Sequence, residues 1–173
     1  MASTFDGKRV SAEWRAVLQF ARDQGVSFHL NSGQRTMREQ QALYNAYLHG
    51  SGVLAARPNA NAPHIKQGRA DHALDVQEDG TGGRHRLQAF LRSIGIPTSL
   101  TVPGENWHME ADSQQDLITA AFRINSLRAW RKKRARAVAL RKVARVIRWR
   151  KHWDKAVKTA DHNIQLRKKQ LGI

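Results

Sequence analysis

The chain has 173 residues, with 30 Lys/Arg and 14 Asp/Glu, and a formal net charge of +16. This length suits one compact domain with an apolar core plus an appendage, and it is short for two full-sized domains. The absence of cysteine excludes disulfides and thiolate zinc sites, so any metal must be held by His and carboxylate groups. Because no apolar run resembles a secretory signal or a membrane span, we expect synthesis and accumulation in the cytoplasm.

The positive charge is concentrated at one end of the sequence. Residues 1–124 contain 13 Lys/Arg and 12 Asp/Glu, whereas residues 125–173 contain 17 Lys/Arg and 2 Asp/Glu. The first segment has the charge balance of an ordinary globular domain. We therefore predict a domain over 1–124 that carries any chemistry and a separate basic tail over 125–173.

The first elements of the domain alternate between helix and strand. Ser11 is a suitable N-cap for a helix over residues 11–23, and the alternating VSFHL of residues 26–30 predicts a strand. Thr36 and Glu39 match a capping box at the start of a second helix. Three apolar residues of these elements are expected in the core: Trp14, Phe28 and Leu43.

The rest of the domain continues the same pattern. Residues 49–63 have loop composition, residues 72–77 predict a strand, and residues 84–95 predict an amphipathic helix. Residues 99–110 predict a strand, a Pro-Gly turn and a second short strand. The expected fold class is α+β, with helices beside a small antiparallel sheet.

Two clusters of polar residues have the composition of a metal site. A catalytic zinc needs three protein ligands, an open position for water and a nearby carboxylate. A single histidine at the end of a strand is more often structural, but two clusters at strand edges favour a metal site. The first cluster contains His64, Asp71, His72 and Asp75, and the second contains Glu105, His108 and Glu110.

Three segments together resemble a known enzyme family. The order of SGQR (32–35), the His64 segment that ends in ALDV (73–76), and ENWHME (105–110) resembles the zinc D-Ala-D-Ala carboxypeptidase and L-alanyl-D-glutamate endopeptidase family, which includes phage endolysins. The resemblance covers about residues 11–111. It implies a zinc peptidase of peptidoglycan, a zinc site at the small sheet, and Zn²⁺ as the cofactor.

The resemblance also implies roles for individual residues. His64, one aspartate and His108 are the expected zinc ligands, and Glu105 is the expected general base. Arg35 is expected to bind a substrate carboxylate or the oxyanion of the intermediate. Ser32 and Trp107, which belong to the same motifs, are expected to support the ligands or to contact the substrate.

The aspartate ligand has two candidates. The spacing from His64 to Asp71 matches the family, whereas the family's A-x-D context is matched by Ala73 and Asp75. In an extended strand Asp71, Ala73 and Asp75 share one face. A mid-strand aspartate is held more rigidly, so we favour Asp75 and keep Asp71 as the alternative. In that case Asp71 accepts a hydrogen bond from a ligand histidine, and His72 faces outward or lies behind the ligands.

The general base also has a competitor. In a continuous strand Glu110 shares a face with His108, whereas Glu105 does not. Because Pro103 and Gly104 predict a turn, strand alternation need not apply to Glu105. We therefore assign Glu105 as the base and Glu110 as a competing or supporting residue.

The tail predicts one or two basic amphipathic helices, because it is rich in Ala, Leu, Arg and Lys. Trp130, Trp149 and Trp153 are interspersed among the cations. This pattern favours an anionic envelope surface as the partner: a membrane, lipopolysaccharide or teichoic acid. Nucleic acid predicts the same composition but is not favoured. A third interpretation is a helix that packs on the domain or on another copy of the chain.

Together with these features, the resemblance implies a monomeric endolysin that cleaves the L-Ala-D-Glu bond of peptidoglycan. The tail would bind the envelope and take no part in the chemistry. The enzyme would be made in the host cytoplasm and act on the cell wall after release. The enzymatic alternative is a D-Ala-D-Ala carboxypeptidase, and the alternative of another class is a nucleic-acid-binding protein with a structural zinc.

Overall fold

The computed structural model describes residues 3–52, 55–59, 62, 64–65, 72–77, 83–99, 105–143 and 147–173. This part of the chain has a mixed α+β fold with five helices and two small antiparallel sheets, so the predicted fold class is confirmed at that level. The helices are α1 (Ala12–Asp23), α2 (Met37–Leu48), α3 (Gly83–Ser93), α4 (Gln114–Val143) and α5 (Ile147–Leu171). The strands are β1 (Ser3–Phe5), β2 (Lys8–Val10), β3 (Leu30–Ser32), β4 (Ala73–Val76), β5 (Thr98–Ser99) and β6 (His108–Ala111).

The larger sheet separates the core from the polar residues of interest. Its strand order is β3-β4-β6-β5, and every neighbouring pair is antiparallel. Side chains alternate between the two faces of a strand. One face contributes Leu74, Val76 and Met109 to the hydrophobic core. The opposite face of the same two central strands carries Asp75 and His108.

Residues of α1, α3 and α4 form the core on one side of this sheet. The predicted helix over 11–23 is confirmed as α1, whose N-cap Ser11 accepts a hydrogen bond from the Trp14 backbone N–H. Trp14 and Phe20 of α1 are buried, and α4 contributes Leu117 to the same core. The predicted capping box at the start of α2 is also present.

The β1–β2 hairpin was not predicted. Its turn consists of Asp6 and Gly7, both with positive φ (52° and 73°), and a two-residue Asp-Gly turn of this kind is a strong hairpin signal. Phe5 stacks on Phe28 with ring centroids 5.8 Å apart, which joins the hairpin to the core.

Two local predictions are wrong. The strand predicted over residues 26–30 forms only from Leu30 onward. Val26 instead closes the end of α1, because its backbone N–H donates to the carbonyl of Ala21. Leu43 is 37% exposed rather than in the core. It lies on α2, whose single buried residue is Gln40, so this helix forms an outer wall of the molecule.

The tail folds as two helices that pack antiparallel on each other and on the domain. Helix α4 runs without a break across the predicted boundary at residue 124, and both Ile124 and Leu127 belong to the core. Ile164 and Leu171 of α5 join the same core. The division into a catalytic segment and a binding segment stays a prediction. Among the described helices, none combines the length and the apolar character needed to cross a membrane.

Candidate metal centre

Three buried side chains converge on the polar face of the sheet. Asp75 Oδ1 lies 3.2 Å from His64 Nε2 and 3.2 Å from His108 Nδ1. The two histidine nitrogens are themselves 3.2 Å apart. His64, Asp75 and His108 are 6%, 6% and 4% exposed, so these polar atoms face one another rather than solvent. Among the described residues, this is the group of three whose ligand atoms lie close enough together to hold a metal ion.

The strand register explains why two of these residues meet. Asp75 of β4 lies directly opposite His108 of β6, and cross-strand partners place their side chains on the same face. His64 comes from the loop before β4 and is held through its backbone. The Arg35 backbone N–H donates to the His64 carbonyl over 2.8 Å, and Arg35 forms a bridge with Ile65.

The outer nitrogen of each histidine has a defined acceptor. His64 Nδ1–H donates to the carbonyl oxygen of Gly33 over 2.9 Å, and His108 Nε2–H donates to Glu110 Oε1 over 2.9 Å. When the rings are neutral, these bonds leave His64 Nε2 and His108 Nδ1 as lone pairs toward Asp75, whereas a protonated ring donates from that nitrogen to Asp75 Oδ1. Histidines that bind metals commonly donate their second nitrogen to a carbonyl or a carboxylate in this way.

Arg35 holds the second oxygen of the aspartate. Its Nη2 donates to Asp75 Oδ2 over 2.8 Å and to Ser32 Oγ over 2.9 Å. Burial disfavours the charged carboxylate, but hydrogen bonds from His108 and His64, helped by the charge of Arg35, hold the pKa of Asp75 well below its usual range. Asp75 is therefore ionised at neutral pH and presents Oδ1 to the two histidines.

The triangle of atoms has the dimensions of a tetrahedral zinc site. Zinc binds His nitrogen and carboxylate oxygen at about 2.0–2.2 Å, so neighbouring ligand atoms of a tetrahedral site are roughly 3.3–3.5 Å apart. The three separations of 3.2 Å are close to that value. Two neutral imidazoles and one carboxylate are also ligand types that zinc accepts, so the residues present fit this ion.

The three ligand candidates lie in a cleft of about 330 Å³. Glu105 and Trp107 line the same cleft, and Trp107 is 43% exposed there. Glu105 lies in the predicted turn, where its carbonyl accepts the His108 backbone N–H over 3.0 Å. Glu105 is therefore an acidic residue of the cleft that contains the three ligand candidates.

The other residues of the first cluster lie apart from the triangle or outside the described residues. His72 Nε2 is 3.9 Å from Glu110 Oε2, behind His108, as expected for a residue that is not a ligand. Burial lowers the pKa of His72, so the ring is neutral at neutral pH. Asp71 lies outside the described residues, so the choice of Asp75 over Asp71 is supported by the placement of Asp75 alone.

No protein-family model, curated protein or solved structure matches this chain. The interpretation of the site therefore depends on the geometry of its own residues. That geometry provides three oxygen and nitrogen ligands, a cleft next to them and a carboxylate in its wall. Chemically, such an arrangement suits a divalent cation that also binds a water or a substrate carbonyl.

Two supporting residues were not identified from the sequence. Gly33 provides the acceptor for His64, and a Cβ atom at this position would lie 2.5 Å from the Arg9 carbonyl oxygen. Gln40 is 3% exposed, accepts from Arg35 Nη1 and donates to the Ala56 carbonyl. Gly33 lies inside the quoted SGQR motif, but Gln40 has no comparable signal in the sequence.

Proposed function

We propose that this chain is a zinc-dependent peptidoglycan hydrolase of the endolysin type, which cleaves the L-Ala-D-Glu amide bond of the stem peptide. The proposal depends on one observation: His64, Asp75 and His108 present three ligand atoms at zinc-like separations of 3.2 Å. The resemblance of the three motifs to zinc peptidoglycan peptidases adds the substrate class to this geometry.

A catalytic zinc is favoured over a structural one. Structural zinc sites are normally closed by four protein ligands, often including cysteine, whereas catalytic sites keep one position open. The described residues supply three ligands, the chain has no cysteine, and the ligands border a cleft. These features favour an enzyme over a nucleic-acid-binding protein with a structural zinc.

The residues of the cleft have distinct roles in the proposed reaction. When bound, Zn²⁺ lowers the pKa of a water and polarises the scissile carbonyl. Glu105 accepts the proton of the attacking water and donates it to the leaving amine. Arg35 helps to keep Asp75 ionised and orients it through Oδ2, and as a residue of the cleft wall it would place positive charge near the carbonyl oxygen of a bound substrate.

The contacts of Arg35 favour the endopeptidase over the carboxypeptidase. A carboxypeptidase needs a cation that binds the terminal carboxylate of its substrate. Among the described residues that line the cleft, Arg35 is the one Lys or Arg, and its guanidinium contacts Asp75, Ser32 and Gln40. Cleavage of an internal amide bond does not require a cation that binds a terminal carboxylate.

The products of cell-wall digestion test the proposal. Purified peptidoglycan is incubated with the zinc-loaded protein, and the fragments are analysed by mass spectrometry. New peptides that begin with D-Glu are expected. Loss of the terminal D-Ala alone would instead assign the carboxypeptidase reaction. A Glu105→Gln variant that still binds zinc is the control, and it is expected to leave the wall intact.

For the tail we propose binding to the anionic bacterial envelope. Its 17 Lys/Arg against 2 Asp/Glu in residues 125–173 support this partner, because anionic surfaces attract each nearby cation. Such contacts would keep a small monomeric enzyme close to its insoluble substrate after release from the host cytoplasm. Nucleic acid is the second candidate for the same charge, and binding to it would fall steeply as salt is raised.

A further inference from the structure

The outer half of the tail contains a groove between α4 and α5 that the catalytic proposal does not use. The groove has a volume of about 500 Å³. We call it the tail groove and define it by six of its lining residues: Trp130, Lys133, Arg136, Trp153, Ala156 and Ala160.

Small residues at the helix interface create the groove. Ala137 of α4 and Ala160 of α5 are buried where the helices meet, but they are not part of the domain core. Because alanine side chains are short, they leave space beside the interface. The indole rings of Trp130 and Trp153 border this space, so the floor and the walls of the groove are largely apolar.

The acidic residues of the tail lie in ion pairs elsewhere on the helix pair. Asp154 pairs with Arg141 over 2.7 Å, and Asp161 pairs with Arg134. These are the 2 acidic residues of segment 125–173. The described lining of the tail groove therefore contains Lys133, Arg136 and Lys155 without a carboxylate. Lys133 Nζ lies 4.5 Å from the centre of the Trp130 ring, which holds this cation at the rim.

We propose that the tail groove binds an anionic phospholipid, with the phosphate at the cationic rim and hydrocarbon on the alanine floor. Charge complementarity favours an anion, and the apolar floor favours hydrocarbon over a polar base. A protein binds nucleic acid mainly through cations that contact the phosphate backbone and through open aromatic faces on which bases stack. In the tail groove, Lys133 covers one face of Trp130. This inference rests on the envelope-binding role proposed for the tail, but not on peptidase activity.

A substitution that fills the tail groove without changing its charge distinguishes lipid binding in the groove from simple charge attraction. Ala156→Phe places a ring inside the groove without changing the charge, and Ala135→Phe adds the same ring at an exposed position of α4 outside it. Both full-length variants are tested for binding to phosphatidylglycerol-containing vesicles and to phosphatidylcholine vesicles, with circular dichroism as the check on helix content. Muropeptide cleavage is measured in parallel, so a failure of the lipid proposal is distinguishable from a failure of the enzymatic one.

Ala156→Phe is expected to weaken binding to the anionic vesicles roughly tenfold, because the added ring displaces lipid hydrocarbon equivalent to about two buried methylene groups. Ala135→Phe is expected to bind as well as the unmodified chain or better, because an exposed ring adds interfacial affinity. Equal binding by both variants would overturn the proposal in favour of charge alone. If Ala156→Phe lost binding to a single-stranded oligonucleotide while keeping vesicle binding, the groove would be a nucleic-acid site.

Discussion

The Nε2 atom of His64 lies 3.2 Å from the Nδ1 atom of His108, although 44 positions separate the two residues. Gly33 and Glu110 each accept the outer N–H of one ring, so in the neutral rings both inner nitrogens present lone pairs toward Asp75. Two lone pairs at this distance repel each other unless a cation or a shared proton lies between them. The hydrogen bonds around the rings therefore prepare this site for a cation before one binds.

Removal of a ligand should nearly abolish zinc binding. His64→Ala, Asp75→Ala or His108→Ala each removes one of three ligand atoms, and we expect zinc affinity to fall by orders of magnitude, more than the roughly 10–100-fold cost of losing a supporting residue. Competition with a chromophoric chelator measures this affinity. His29→Ala, at a histidine outside the site whose side chain is 57% exposed, is the matched control.

The same measurement decides between the two aspartates. Asp71→Ala is expected to keep zinc affinity within the range of a supporting residue, whereas Asp75→Ala is expected to lose it. Near-normal affinity in Asp75→Ala together with loss in Asp71→Ala would make Asp71 the ligand in place of Asp75.

Gly33 is expected to be essential for the orientation of His64. A Cβ atom in Gly33→Ala would lie 2.5 Å from the Arg9 carbonyl, so the backbone must shift and take the acceptor of His64 Nδ1 with it. We expect zinc affinity to fall roughly 10–100-fold, as for other supporting contacts. Gly25→Ala is the control for stability alone. Gly25 has a φ of +82°, so its substitution lowers the stability of the fold by about 1–2 kcal/mol. This residue lies at the end of α1 and is not part of the metal site. If both variants bound zinc equally well, Gly33 would have no positioning role.

The ligand types could be read from the sequence because they depend on local order and strand alternation. The LDV segment (74–76) predicts that Asp75 faces away from Leu74 and Val76, and the structure has this arrangement. The pairing of Asp75 with His108 depends on which strands are neighbours and in which register. Periodicity does not contain that information, because one residue of slippage would reverse the face.

The contacts of Arg35 also could not be predicted from the sequence. A guanidinium after a Ser-Gly turn was expected to face the substrate, and its charge and its bidentate geometry suited that role. Whether it reaches Asp75 depends on the approach of β3 to β4, where a register shift between Leu30 and Ser32 brings Ser32 opposite Asp75. Bulges of this kind redirect side chains near functional sites and have weak sequence signals.

The pKa of His108 should depend on Glu110. Burial disfavours the protonated ring, but hydrogen bonds to Asp75 and Glu110 outweigh it and raise the pKa of His108 above its usual value. Glu110→Gln keeps an acceptor for Nε2–H but removes the charge. In the metal-free protein we therefore expect His108 to titrate at lower pH in this variant, as measured by NMR. An unchanged titration would contradict the role given to Glu110.

The sign of the resulting pH dependence differs between folding and metal binding. Because the pKa of His108 is raised in the folded state, protonation stabilises the metal-free protein below the unfolded pKa of about 6.5, and this contribution is lost as pH rises through the folded value. Zinc needs the neutral ring, so zinc affinity should fall as pH drops through the same value. Chelator competition across pH should show this fall at lower pH in Glu110→Gln than in the unmodified chain.

Truncation before the tail should destabilise the domain rather than isolate it. A chain that ends at Arg123 loses the buried side chains of Ile124, Leu127, Ile164 and Leu171. Burial of one such side chain contributes about 1.5–3 kcal/mol, and native domains are stable by only about 5–15 kcal/mol. Thermal unfolding should therefore show a strongly lowered midpoint or no cooperative transition. A truncated chain with the unfolding midpoint of the full chain would show that the tail contributes nothing to the core.

The envelope-binding role of the tail is therefore best tested in the full chain by removing charge. Lys132→Gln, Arg150→Gln and Lys151→Gln change exposed cations outside the tail groove and leave the buried residues intact.

Each cation near an anionic surface contributes about 1 kcal/mol, so the triple variant should bind whole cells roughly 100-fold more weakly at low salt. Cleavage of soluble muropeptides should be unchanged, because none of the three residues is among those that line the cleft. Raising the salt shortens the screening length from about 10 Å at 0.1 M to about 3 Å at 1 M, so the difference between the two proteins should shrink. Equal lysis of intact cells by both proteins at low salt would leave the tail with its packing role alone.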